Sequence, residues 1–237
     1  MKADIDQVLA YAVCPRLWKL KGAAPPVEPS LNNELQALLT FILRKILETE
    51  SIPTWKQLQA KWTKIYWSNH PPESKVKNTV YNRSQISLRD IYGWAQSLPK
   101  TILGVNFQIS SNLSRHNLSG EIPGIIGTSE NAAELVYITT AKTPGELVRD
   151  LKVRFLSSIM NSEIPVSRIT SFGLNEKGLL KVLSLYPDRL FWSSAEHEMS
   201  CILGAMHNKV IYSNPTACSS CLVRSECLEK ELLPDLS

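Results

Sequence analysis

The chain has 237 residues, 43% of them hydrophobic and 20% charged, and a formal net charge of +4 at pH 7. The length fits one large domain, and the composition is that of a globular protein that can bury a core. No stretch approaches the roughly 20 apolar residues of a membrane span, so we expect no membrane partner. The first residues lack an apolar signal core, which predicts a cytoplasmic protein that is not secreted.

Residues 1–100 are predicted to form a mainly helical lobe. Apolar residues recur at helical spacing over residues 4–21, 31–48 and 55–66, and a further helical piece covers residues 87–98. The lobe is rich in tryptophan, and such rings can stack on the bases of single-stranded nucleic acid. Their helical spacing favours packing in the core instead. The five residues are Trp18, Trp55, Trp62, Trp67 and Trp94.

Residues 101–192 have the pattern of a mixed-sheet core, in which β-branched and alternating apolar residues indicate strands. Residues 193–237 add a last helix, with Ser194 as its predicted N-cap, and a cysteine-rich segment. Helices that flank a mixed sheet of about five strands predict an α/β fold, with the whole chain as one domain. The predicted strands are 105–110, 118–126, 134–141, 166–174 and 179–186, and the predicted helices are 146–160 and 194–206.

Four of the five cysteines lie near the two ends of the chain, and the last three have the spacing C-x2-C-x5-C. Four thiolates suit a tetrahedral soft-metal site, either an iron–sulfur cluster or Zn²⁺. A disulfide framework is the alternative, but it needs an oxidising compartment, which nothing in the sequence indicates. The candidate metal ligands are Cys14, Cys218, Cys221 and Cys227.

Two single cysteines and the histidines carry further predictions. Because the residue before a proline avoids helical dihedrals, Cys14 is predicted at a helix break before Pro15, with its thiol turned outward. Cys201 is expected to be a small buried hydrophobe, since free cysteine is commonly buried. The histidines match no metal-ligand spacing and are expected at the surface or at helix caps. They are His70, His116, His197 and His207.

Two sequence elements resemble the iron–sulfur branch of the PD-(D/E)XK nuclease superfamily. CPRLWKL stands at residues 14–20 and NPTACSSCLVRSEC at residues 214–227, on either side of the predicted sheet. This branch includes RecB-like and AddB-like nucleases and the CRISPR-associated Cas4 exonucleases. The resemblance implies a nuclease-like α/β fold whose termini are joined by a [4Fe-4S] cluster on the four candidate cysteines, with Zn²⁺ as the alternative. It also implies a prokaryotic cell or its phage as the setting.

The catalytic half of that family pattern is incomplete. Active members hold Mg²⁺ or Mn²⁺ on an aspartate that follows Gly-x-Ile and on the carboxylate of Asp/Glu-x-Lys. Here Pro123 follows the letters GEI, and Thr140 stands two residues before Lys142. The family's metal histidine on the early helix is also missing, and Asn33 and Glu34 stand nearby. The resemblance therefore implies that the lysine is kept and the carboxylates are lost, and no Mg²⁺ or Mn²⁺ is expected.

Nearby acids are the alternative metal ligands. Glu121 shares a strand face with position 123, about 7 Å further along, and Glu146 and Asp150 lie on the following helix. Glu134 lies roughly 20 Å upstream of position 140 along its strand, which is too far for an ion with oxygen ligands near 2 Å. The pattern itself gives no reason to expect any of these acids at the site.

These observations predict a catalytically inactive nuclease-fold iron–sulfur protein, a pseudo-nuclease that serves as a structural or nucleic-acid-binding component of a larger phage, CRISPR or recombination assembly. Protein partners are expected, and DNA is a further candidate partner. Four basic residues could contact phosphates, although charged helix faces are usually just solvated. They are Lys142, Arg149, Lys152 and Arg154. Two alternatives remain open: an active metal-dependent DNA exonuclease with relocated carboxylates, and a redox or sensing module that uses its cluster for electron transfer.

Overall fold

The computed structural model describes residues 2–15, 31–70, 75–99, 101–113, 116–128 and 131–210. Trp18 and three predicted cluster ligands, Cys218, Cys221 and Cys227, lie outside these residues. Helices and strands alternate along the described chain. In order they are β1 (Lys2–Asp4), α1 (Ile5–Val13), α2 (Leu31–Thr49), α3 (Trp55–Asn69), α4 (Lys75–Ser97), β2 (Ile102–Leu113), β3 (His116–Gly127), β4 (Ala133–Ile138), α5 (Pro144–Arg149), α6 (Leu151–Asn161), β5 (Val166–Leu174), β6 (Leu180–Leu185) and α7 (Arg189–His207).

One mixed sheet organises the fold. Its strands lie in the order β1-β3-β4-β5-β6, and β2 also pairs with β3. β2 pairs along nearly all of β3, whereas β1 pairs with residues 117–119 and β4 with residues 124–127 of the same strand. Because a strand has two edges, β1 and β4 lie in line along the edge of β3 opposite β2. The predicted α/β fold, a mixed sheet flanked by helices, is confirmed.

A hydrophobic core lies on each face of the sheet. Along β4, Leu135 and Tyr137 belong to the core covered by α1, α6 and α7, while Val136 belongs to the core covered by α2, α3 and α4. This is the alternation expected of a strand buried on both faces. Trp62 is buried in the second core, and Trp55, Trp67 and Trp94 pack against it, so the prediction of core packing is confirmed for these four.

The first helix ends where the sequence predicts a break. α1 begins at a capping box formed by Asp4 and Gln7 and ends at Val13, and Cys14 follows with extended dihedrals (φ −160°, ψ 107°). The prediction that the thiol turns outward is wrong, because Cys14 is only 6% exposed. The proline constrains the backbone of Cys14 but not the side on which its side chain packs.

Two helices of the second half differ from prediction. The single helix predicted over residues 146–160 is divided at Asp150, which is the C-cap of α5 and, with ψ 106°, the N-cap of α6. α7 begins at Arg189, because the carboxylate of Asp188 accepts a hydrogen bond from Phe191 N–H at 2.8 Å. Ser194 lies inside this helix, so its prediction as an N-cap is wrong.

The prediction that Cys201 is buried is also wrong. The buried stripe of α7 runs through Phe191, Ala195, Met199, Leu203 and Met206. Cys201 lies two residues from both Met199 and Leu203, which places it on the opposite, exposed side of the helix.

Of the helices in the described ranges, none combines the length and apolar character needed to cross a bilayer.

Candidate nuclease-like site

Pro123 lies in the middle of β3, where the strand loses its regular alternation. The register with β2 places Asn106 opposite Pro123. The backbone of Asn106 is left-handed (φ 50°), and its side-chain oxygen accepts a hydrogen bond from Thr40 Oγ1 at 3.3 Å. Ile122 belongs to the first core, whereas a Cβ on Gly124 would meet α2 on the other face. Residues two apart normally share a face, so the strand is irregular at the proline, which also has no N–H to donate.

The second motif position follows the end of β4. Thr139 is buried, and its hydroxyl donates a hydrogen bond to Asp150 Oδ2 at 2.9 Å and accepts one from Ala141 N–H at 3.1 Å. Thr140 and Lys142 are both exposed. The carboxylate that binds this segment therefore comes from the start of α6 and not from the strand.

Two of the alternative acids approach this same segment. Glu146 Oε2 accepts a hydrogen bond from Lys142 N–H at 2.6 Å, and Asp150 reaches Thr139. Asp150 Oδ1 also accepts from Val153 N–H at 3.2 Å as the cap of α6. Both carboxylates thus meet the end of β4, but each already serves as an acceptor for the protein's own hydrogen-bond donors.

The other two acids are engaged within the sheet. Glu121 Oε2 accepts a hydrogen bond from Gln108 Nε2 of β2 at 2.8 Å. Glu134 is buried at the start of β4 and forms an ion pair with Arg168 of β5. Within the described ranges, no three histidine, cysteine, aspartate or glutamate side chains form a group that could hold a metal ion.

Three of the four predicted phosphate-contacting residues are exposed near the end of β4. Lys142 lies just after β4, while Arg149 and Lys152 lie on α5 and α6. The Arg149 side chain donates to the backbone oxygen of Gly145 at 3.0 Å, and Lys152 Nζ lies 3.0 Å from Asp6 Oδ1. Such exposed contacts contribute little stability, so all three cations remain accessible to an anionic ligand.

Arg154 is placed differently. Its side chain is largely buried, pairs with Glu198 of α7 and donates a hydrogen bond to Ser194 Oγ at 2.6 Å. These contacts join α6 to α7 and leave the guanidinium little surface for a phosphate.

Glu34, close to where the family carries its metal histidine, is buried between α2 and α3. Its Oε1 accepts a hydrogen bond from Asn69 Nδ2 at 3.0 Å and lies 3.2 Å from His70 Nε2, while Asn33 beside it is exposed. Burial, and next the charge of Glu34, raise the pKa of Tyr66. His70 is also the C-cap of α3, and His197 and His207 are exposed, so the surface or capping prediction is confirmed for the described histidine side chains.

A buried hydroxyl pair lies on the α6 side of β4. Tyr137 OH and Ser157 Oγ are 3.1 Å apart. Burial raises the pKa of the Tyr137 phenol, and the hydrogen bond with Ser157 partly opposes this rise. The phenol is therefore held in its neutral form inside the first core.

The two ends of the described chain meet beside Cys14. Tyr11 lies about one helical turn before Cys14, and its buried side chain donates a hydrogen bond to the backbone oxygen of Val210. Cys218 follows Val210 by eight residues, which span at most about 26–29 Å. Cys14 is a free, buried thiol, as a thiolate ligand of a buried metal centre would be. The one described member of the predicted ligand set thus fits an iron–sulfur or zinc site.

The fold has a counterpart among solved structures. A crystal structure of a "Putative exonuclease" from Eubacterium rectale matches 94% of this chain and 86% of its own with a TM-score of 0.52 at 9% identity. The fold is nuclease-like. A second crystal structure, of SSO0001, aligns over 82% of this chain and 85% of its own with a TM-score of 0.39 at 8% identity. No family model and no curated protein matches the sequence.

Proposed function

We propose that this protein is a nuclease-fold protein without catalytic activity, which binds nucleic acid or protein partners as part of a larger assembly. The proposal rests on one observation: the acids near the two motif positions accept hydrogen bonds from the protein itself. Pro123 and Thr140 replace the expected carboxylates, while Glu146 and Asp150 accept hydrogen bonds that shape the β4–α5–α6 connection. A metal ion there would have to compete with those donors.

We further propose that Cys14, Cys218, Cys221 and Cys227 hold a [4Fe-4S] cluster, with Zn²⁺ as the alternative. The contact between Tyr11 and Val210 supports this, since it brings the start of the C-terminal segment to α1, the helix directly before Cys14. Bound there, the cluster would supply bonds between the two ends of the chain. The residues of this chain would exclude water from at least one of those thiolates, because Cys14 is buried.

The nucleic-acid surface would consist of Lys142, Arg149 and Lys152. In this proposal their cations bind backbone phosphates, so binding depends on salt and not on sequence. The test is fluorescence anisotropy with single- and double-stranded DNA over a range of salt concentrations. A Lys142→Ala, Arg149→Ala double variant should bind more weakly, and the salt slope should fall by about 0.9 for each phosphate that the variant no longer neutralises.

The control for this measurement is Lys177→Ala, which removes an exposed lysine from the β5–β6 turn. Equal weakening by the control variant would mean that net charge, and not this surface, drives binding. No binding by the wild-type chain at low salt would leave protein partners as the only role proposed.

Loss of catalysis has its own test, a nuclease assay with Mg²⁺ and Mn²⁺ on both DNA forms. We expect no cleavage above a Lys142→Ala control. Strong metal-dependent cleavage that Lys142→Ala abolishes would overturn the proposal.

An active nuclease with relocated ligands is the second candidate, because Glu146 and Asp150 both reach residues 139–142. Asp150→Asn separates the two functions. The amide oxygen can still accept from Val153 N–H, with the amide nitrogen placed to donate to Thr139 Oγ1, but an amide is a poor ligand for Mg²⁺ compared with a carboxylate. Cleavage by the wild-type chain that Asp150→Asn and Glu146→Gln each remove would support the active enzyme.

A further inference from the structure

α7 presents a histidine and a cysteine on its exposed side. They stand four residues apart in the sequence His197-Glu198-Met199-Ser200-Cys201, and both are exposed to solvent. The imidazole Nε2 lies 3.7 Å from the cysteine Sγ. Neither residue belongs to the nuclease pattern or to the four cysteines near the chain ends.

We propose that His197 and Cys201 form a two-ligand site for a thiophilic divalent cation, of which Zn²⁺ is the natural representative. Zn²⁺ binds sulfur at about 2.3 Å and nitrogen at about 2.1 Å in a tetrahedral arrangement, which requires the two atoms to be about 3.6 Å apart. The observed separation of 3.7 Å is close to that requirement.

The helix holds the two ligands at this spacing. Residues four apart lie on the same helix face, and the two zinc-binding histidines of H-E-x-x-H helices use the same interval. Met199 between them is buried in the core and fixes the face that α7 turns to solvent. The pair is therefore positioned by the fold and not by a mobile loop.

In an H-E-x-x-H helix the glutamate acts as a general base, and Glu198 is not available for that role. Its carboxylate pairs with Arg154 on the neighbouring helix and so is held by the protein. The described site thus has two protein ligands and open positions for water, and Glu198 is not free to activate that water. Its role is to bind the cation, not to hydrolyse a substrate.

Binding forms a Zn–S bond and a Zn–N bond, displaces water ligands of the hydrated ion as it becomes tetrahedral, and releases the thiol proton to solvent, with no change of oxidation state. The experiment is a titration of the full-length chain with Zn²⁺ by calorimetry, and with Co²⁺ by thiolate-to-metal charge-transfer absorption. Both are done anaerobically on the protein as purified, after its iron and zinc content has been measured.

Three variants decide the outcome. Cys201→Ser and His197→Ala should each lose one equivalent of metal that the wild-type chain binds, whereas His207→Ala, an exposed histidine on the same helix, should keep it. The same stoichiometry and affinity in the wild type and Cys201→Ser would overturn the proposal, and so would loss in Cys201→Ser alone with full binding by His197→Ala. Should Cys201→Ser fold poorly, His197→Gln gives the same comparison. All variants share the four cysteines near the chain ends, so failure here is distinct from failure of the cluster.

Discussion

Thr139 donates a hydrogen bond to the carboxylate of Asp150 at 2.9 Å, and this contact joins the end of the central strand β4 to the start of α6. The backbone N–H of Asp150 also ends α5 and its side chain caps α6, so one residue sets the path of three successive elements. The segment at the second motif position is thus held in place by a carboxylate with a structural role.

Removal of this carboxylate should destabilise the fold. Asp150→Ala loses both the cap and the hydrogen bond from Thr139, and we expect the free energy of unfolding to fall by about 1–2 kcal/mol. Asp150→Asn should keep most of that stability, since asparagine is a good N-cap. Urea unfolding of the two variants measures the difference, and equal stability of wild type and Asp150→Ala would contradict a structural role.

Cysteine variants test the cluster. Anaerobically purified protein should contain about four irons and four sulfides per chain. Cys14→Ser should lose the metal, as should serine at position 218, 221 or 227, because each removes a ligand. Cys201→Ser is the matched control and should keep its iron content. Stoichiometric zinc without iron, lost in Cys14→Ser and kept in Cys201→Ser, would favour the zinc alternative, and neither metal would remove the site.

The contact between Tyr11 and Val210 predicts a measurable contribution to stability. Tyr11→Phe keeps the buried ring and removes the hydroxyl, which leaves the Val210 carbonyl without that donor. We expect a loss of about 1 kcal/mol in the free energy of unfolding. Tyr92→Phe, whose ring packs against Trp55, serves as the control. A loss of the same size in the control would mean that removing any tyrosine hydroxyl lowers the stability, and that the contact with Val210 has no special contribution.

Tyr137 predicts a dependence of stability on alkaline pH. Its pKa in the folded protein is raised, so the unfolded chain, with an ordinary pKa near 10, loses the proton first as the pH rises. The stabilisation is complete below a pH of about 10 and is lost progressively above it. Tyr137→Phe should show a smaller decline, because the raised pKa of Tyr66 remains, and removing the hydrogen bond with Ser157 costs about 1 kcal/mol at neutral pH. Unfolding curves at about pH 8 and about pH 11 provide the check, and parallel declines in both proteins would exclude Tyr137 as the cause.

The sequence predicts the parts of this fold that depend on periodicity. The alternating apolar residues of β4 and the helical stripe of α2 are both evident in the sequence, because each sets its own buried face. The division of the helix at Asp150 is not evident in the sequence, because residues 146–160 keep a helical pattern. The break depends on the hydrogen bonds of Asp150, including the one from Thr139. The exposure of Cys201 is hidden for a similar reason, because the helix start at Arg189 and the neighbouring elements decide which face of α7 is covered.

The candidate site shows a similar limit. The absence of carboxylates at Pro123 and Thr140 follows from residue identity, so the sequence alone predicts it. The approach of Glu146 and Asp150 to residues 139–142 depends on a turn whose direction the motif does not encode. The sequence spacing suggests that Arg154 is exposed like the other cations. It is buried instead, because it pairs with Glu198, which lies 44 residues further along the chain.

The pairing of β1 with β3 has a consequence for synthesis on the ribosome. Lys2 lies beside Asn117, and α1 packs on helices that end only at His207, so the N-terminal strand and helix have no partners when they emerge. At roughly 5–20 residues per second, about 200 residues take on the order of 10–40 s to follow. During that interval the apolar face of α1 and the Cys14 thiol are exposed to the cell. A nascent chain of this protein should therefore depend on chaperones for longer than one whose first helix packs against the second.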